Sequence, residues 1–74
     1  MRTYYVSYDY VYSSAYDNGE RYQVYQFGFG EFQCRKKEIE QEVTKRILEE
    51  EIPFGKQDSS RIEALRISDC FAVN

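Results

Sequence analysis

Apolar and polar residues alternate with period two from Thr3 to Ser13. Tyr4, Val6, Tyr8, Tyr10 and Tyr12 fall on one side, and Thr3, Tyr5, Ser7, Asp9, Val11 and Ser13 on the other. That spacing predicts a half-buried strand, built from residues that suit a pleated surface. Asp17-Asn18-Gly19 predicts a hairpin turn, because these residues tolerate positive φ. A second strand is predicted over about 20–33, with a broken pattern. Tyr22 and Val24 share one face, whereas Tyr25, Phe27 and Phe29 share the opposite one. The change of phase predicts a β-bulge near Val24-Tyr25. Gly28 and Gly30 fall on one side, which predicts close approach of a covering helix or a twist in an edge strand, ahead of approach by a ligand.

Residues 35–52 read as a helix. Ile39, Val43 and Ile47 recur every four residues, Leu48 and Ile52 widen the stripe, and Pro53 and Gly55 end it. Glu42–Arg46 and Arg46–Glu50 have the spacing of ion pairs across one turn. Residues 56–60 read as a loop. From Arg61 onward, Leu65, Ile67, Phe71 and Val73 share one parity and predict a third strand. A short helix capped by Ser60-Arg61-Ile62-Glu63 is the alternative.

The order is β-β-α-β. A hairpin pairs the first two strands, and the helix returns the chain so that the third strand lies antiparallel beside the first. The expected fold class is therefore α+β: one domain over residues 1–74, a three-stranded antiparallel sheet in order 2-1-3, and one helix on one face. The even side of the first strand should meet Ile39, Val43 and Ile47. The opposite side has nothing to cover it.

Composition sharpens this picture. Eight Tyr and five Phe make 18% of the 74 residues, and eleven of these rings lie in the first 32. One amphipathic helix cannot shield so many. Tyr offers a large rigid contact surface with a polar tip. Tyr5, Ser7, Asp9 and Val11 on the uncovered side, with Tyr16 at the turn, form the expected partner-binding patch. The helix is charged against its own dipole, with Arg35, Lys36 and Lys37 first and Glu49, Glu50 and Glu51 last. Such reversed charge suits a partner at the rim, or a screened, solvated surface. Cys34 stands at the expected cap position.

Several functions are disfavoured. The net charge of −3 argues against a general phosphate-backbone binder. Stacking of single-stranded nucleic acid on the tyrosines is an alternative, but the aromatic half is itself acidic. The acidic helix residues could mimic a nucleic-acid backbone, although Arg35 to Lys37 interrupt that field. There is no His, so the commonest general base and metal ligand is missing. Two cysteines cannot make a zinc site. Asp9 and Glu31 could face each other across strands, yet so small a fold offers no substrate pocket. Cys34 beside Arg35 and Lys36 could favour its thiolate, but it has no adjacent base. The expectation is no enzyme, no metal and no cofactor. The amino terminus lacks the apolar run of a signal peptide, and no segment approaches bilayer length, so the cytoplasm and reduced thiols are expected.

In size, acidity and β-β-α-β order the chain resembles small proteins that phages and other mobile elements encode against host defences, anti-CRISPR proteins among them. The resemblance implies inhibition by binding a host nucleoprotein complex, without catalysis. It transfers no site residue. The remaining alternative is a structural homodimer that buries the uncovered sheet face.

Overall fold

The computed structural model describes residues 1–53 and 59–73. Strand β1 runs Arg2–Ala15, β2 Arg21–Cys34 and β3 Arg61–Ala72. Helix α1 (Ile39–Arg46) is preceded by a 3₁₀ turn, Lys36–Glu38, and followed by a π turn, Ile47–Glu51. The sheet order is β2-β1-β3, with both pairings antiparallel. This is the expected α+β, β-β-α-β arrangement. Its long strands make the molecule elongated, 47 × 19 × 16 Å.

The hairpin closes where expected. Tyr16 N–H donates to the Glu20 carbonyl at 2.8 Å, and Gly19 N–H to the Tyr16 carbonyl at 3.0 Å. Gly19 takes φ +89°, which its missing Cβ permits. From that turn the β1–β2 register runs unbroken from Ala15↔Arg21 to Arg2↔Cys34. The bulge expected at Val24-Tyr25 is absent. The hydrophobic pattern lapses there for another reason. The covered-face positions after Val24 are Gln26, Gly28 and Gly30, and their space is filled from elsewhere. The Tyr8 ring lies over Gly28, so close that an added Cβ would sit 2.7–2.9 Å from its atoms. The Arg46 guanidinium lies over Gly30 and over the Phe32 ring, 3.9 Å from its centroid.

The bulges are in β3. Ser7 pairs with Asp69 and Tyr8 with Ile67, which leaves Ser68 as the extra residue. Val11 pairs with Ala64 and Tyr12 with Ile62, which leaves Glu63. Each extra residue reverses the faces of those that follow. Ile62, Leu65, Ile67 and Cys70 therefore pack against the core, while Phe71 and Val73 are exposed. This corrects the expectation that Leu65, Ile67, Phe71 and Val73 share a side. The strand begins at Arg61, so the short helix from Ser60 does not form. Gly55 and most of the expected loop lie outside the described residues.

The core has the expected composition. Tyr4, Val6, Tyr8, Tyr10 and Tyr12 are buried against Ile39, Val43, Ile47 and Ile52, with Phe32 and Cys34 at one end. Arg35, not Cys34, caps the helical segment, and Glu38 Oε1 accepts the Arg35 N–H at 3.0 Å. Cys34 is the buried last residue of β2. Burial pushes its thiol pKa up, with nearby Glu42 and Glu38 adding to the effect, so the thiolate is disfavoured. Both cysteines are free thiols. Of the two expected ion pairs, Arg46–Glu50 forms, at 3.8 Å.

Candidate functional site: the open aromatic face

The face of the sheet away from α1 carries the odd residues of β1 and β2 and those of β3 paired with them. Tyr25, Phe27, Phe29 and Phe71 are 64%, 76%, 67% and 50% exposed. These rings stand on backbone fixed by the ladder. Tyr5 lies between Phe71, at 5.3 Å between centroids, and Phe29, at 6.3 Å. The three form a row across all three strands, since Tyr5 pairs with Phe71 and Ser7 with Phe29.

A polar centre lies further along the same face. Arg66 donates twice to Asp9, through Nε to Oδ1 at 3.1 Å and through Nη2 to Oδ2 at 2.6 Å. Tyr25 Oη donates to the same Oδ2 at 2.8 Å. These bonds from Arg66 and Tyr25 hold the Asp9 carboxyl below its ordinary pKa, and the same contacts raise those of Tyr25 and Arg66. A shallow notch of about 350 Å³ opens here, with Val11 and Ala64 lining it beside Asp9, Tyr25 and Arg66. Small side chains make the notch, and a fixed charge network flanks it. One partner side chain of aliphatic or aromatic size fits such a space.

A second polar network closes the hairpin end. Arg21 Nη2 donates to Ser13 Oγ at 2.8 Å and to the Ser59 carbonyl at 3.1 Å. Ser13 Oγ donates to Glu63 Oε1 at 2.6 Å, and Arg61 Nε reaches the same oxygen at 2.8 Å. Ser13 and Arg61 lower the Glu63 pKa. The extra residue of one bulge thus supplies the carboxylate that joins β1 to β3. Arg21, Arg61 and Arg66, the arginines on this side of the sheet, are all engaged within the molecule.

The expected site residues do not form one patch. Tyr5, Ser7, Asp9 and Val11 lie together on the open face, half-buried between their neighbours. Tyr16 is exposed beyond the end of β1 and packs on Tyr22, 4.5 Å between centroids. Arg35, Lys36 and Lys37 are exposed at the opposite end of the sheet, where β2 turns into the helix. The fourteen residues of β1 separate these ends, about 45 Å at strand rise. Asp9 and Glu31 do not face each other: Asp9 pairs with Phe27 and Arg66, and Glu31 with Tyr5. The Ser68 bulge re-aims Phe71, which period two places with Leu65 and Ile67; Arg66 keeps the side opposite those two, and only its register against Asp9 was hidden from the sequence.

The covered face holds the other unexpected residue, Glu51. The π turn directs its carboxylate onto the sheet, where Tyr8 Oη donates to Oε2 and Tyr10 Oη lies 2.9 Å from Oε1. Tyr10 Oη is also 2.8 Å from Gln26 Oε1. Its single proton goes to the carboxylate, and the Gln26 amide, turned over, donates to the hydroxyl oxygen. Burial, then the Glu51 hydrogen bond, raises the pKa of both tyrosines. Glu51 is thus removed from any acidic surface. The spacing had a signal: Ile39, Val43 and Ile47 continue by four to Glu51.

Among the described residues, no group of His, Cys, Asp and Glu could hold a metal ion, and no helix is long and apolar enough to cross a membrane. Comparison with known proteins gives no matching family model, no similar curated protein and no similar solved structure.

Proposed function

We propose that this chain is a non-enzymatic protein-binding module that docks a partner protein on its open aromatic face. The observation that carries this reading is the exposure of Tyr25, Phe27, Phe29 and Phe71 on one rigid face around the Asp9–Arg66–Tyr25 network. Tyr and Arg are the residues that most often dominate binding energy, and the hydrogen bonds here fix them before any partner arrives. The engaged arginines favour a protein over a phosphate backbone, which needs free cations. The finer reading is inhibition of a bacterial defence nucleoprotein complex. It rests on the resemblance in size, acidity and element order.

The test starts with capture from nuclease-treated lysate of the source cell. The captured protein is then purified and titrated with the wild type and with Phe27→Ser/Phe29→Ser. Both side chains are exposed, but Phe29 packs on Tyr5 and both lie in β2, so the variant should lose about 1–2 kcal/mol and stay folded. Its affinity should fall at least about tenfold, as expected when central anchors are lost. Unchanged affinity contradicts the proposal, and capture abolished by nuclease points instead to nucleic acid.

A further inference from the structure

The two edges of the sheet are built differently. The β3 edge is interrupted by two bulges and carries Arg61, Glu63, Arg66 and Asp69. The β2 edge is regular for fourteen residues, and from Tyr22 to Gly30 it contains no charge and no proline. Long strands with such an edge are templates for pairing, whereas bulges and charges protect an edge.

The direction of its free groups follows from the hairpin. Tyr16 N–H donates to the Glu20 carbonyl across the hairpin, so the alternation of an antiparallel ladder turns the N–H and C=O of Tyr22, Val24 and the following even residues toward β1. Those of Arg21, Gln23, Tyr25, Phe27, Phe29 and Glu31 point outward. Arg46 Nη2 donates to the outward Glu31 carbonyl at 3.1 Å, as this geometry requires. No other side chain among the described residues bonds these outward groups.

We propose that the β2 edge pairs antiparallel with the same edge of a second copy of this chain, about a two-fold axis through Gln26. In that register Arg21 stands opposite Glu31 of the second copy, and Tyr25 opposite Phe27 of the second copy. Paired rings then face each other at both symmetry-related positions, and unlike charges meet there once the Arg21 guanidinium turns from Ser13 and the Ser59 carbonyl toward the edge. On the covered side, Val24 meets Gly28 of the second copy beside its Tyr8 ring, Tyr22 meets Gly30 beside its Arg46 guanidinium, and Gln26 meets its own copy on the axis. The Glu31 carbonyl has a second lone pair and accepts a ladder bond beside Arg46. The product is a six-stranded sheet whose outer edges are both the bulged β3, so assembly stops at two. Its two open faces join into one. This inference does not rest on the partner-binding reading, because it uses an edge rather than a face.

Sedimentation at high micromolar concentration should give twice the monomer mass. Glu31→Arg sets Arg against Arg21 of the second copy and should give a monomer. Arg21→Glu, with folding checked by circular dichroism, should also give a monomer. Mixing the two variants should restore the dimer, since both contacts then pair unlike charges. Gln26→Cys, made in a Cys34→Ser/Cys70→Ser background, should cross-link to itself on the axis under mild oxidation. A monomeric wild type overturns the proposal. So does a dimer that Glu31→Arg leaves intact, or one that Gln26→Cys fails to cross-link, or growth into larger species.

Discussion

Tyr8 and Tyr10 carry hydroxyls into a thin core, and a single carboxylate makes this tolerable. Glu51 accepts from both. A buried hydroxyl without a partner costs about 1–3 kcal/mol. Glu51→Ala should therefore lower unfolding free energy by about 1–3 kcal/mol near neutral pH, as measured by urea denaturation. The sign of the pH dependence follows from the raised tyrosine pKa values. The folded state holds these protons more tightly than the unfolded chain. Their contribution is intact below the ordinary tyrosine value of 10.0 and is lost as pH rises above it. The wild type should lose more stability than Glu51→Ala at pH well above 10.0, where the variant's tyrosines, raised by burial alone, begin to ionise in the folded state, so the gap narrows there. A gap that is constant or that widens contradicts the assignment of Glu51 as their shared acceptor.

At the scale of elements, β2 shows how a strand can lose its hydrophobic alternation without losing its register. Gly28 and Gly30 are blank positions that neighbours fill. The neighbours differ: an aromatic ring anchored by Glu51 over Gly28, and the end of a long flexible side chain over Gly30. Gly28→Ala should cost about 1–3 kcal/mol through forced repacking. Gly30→Ala should cost less, because Arg46 can move aside. Equal costs in thermal or urea unfolding contradict this account. The same comparison explains what could be read from the chain alone. The even face of β1 and the Ile39-Val43-Ile47 stripe have one period each and no interruption, so strand order and core followed from them. The β2 gap and the β3 bulges share one ambiguity: a shift of phase in sequence does not say whether a residue was inserted or a side chain was omitted. Omission holds at Gly28, where Tyr8 supplies the volume, and insertion holds at Ser68 and Glu63. The choice depends on what the neighbouring strand presents, and a local pattern does not contain that. Hence Tyr5, Ser7, Asp9 and Val11 were legible as one patch, while the side of Phe71 and the register that sets Arg66 against Asp9 were not.

The whole molecule is a sheet finished on one side only. A chain of this length buries about 60% of the surface its unfolded form exposes, and one helix uses that capacity on one face. The other face retains its rings in water. Edge pairing through β2 would enlarge this face without covering it, whereas a dimer packed face to face would hide it. Hydroxyl-radical footprinting of the free protein, with oxidation mapped ring by ring, tests this claim most directly. Tyr25, Phe27, Phe29 and Phe71 should oxidise readily, while Tyr8, Tyr10 and Tyr12 stay protected. Protection of Phe27 and Phe29 equal to that of Tyr8 would contradict the account.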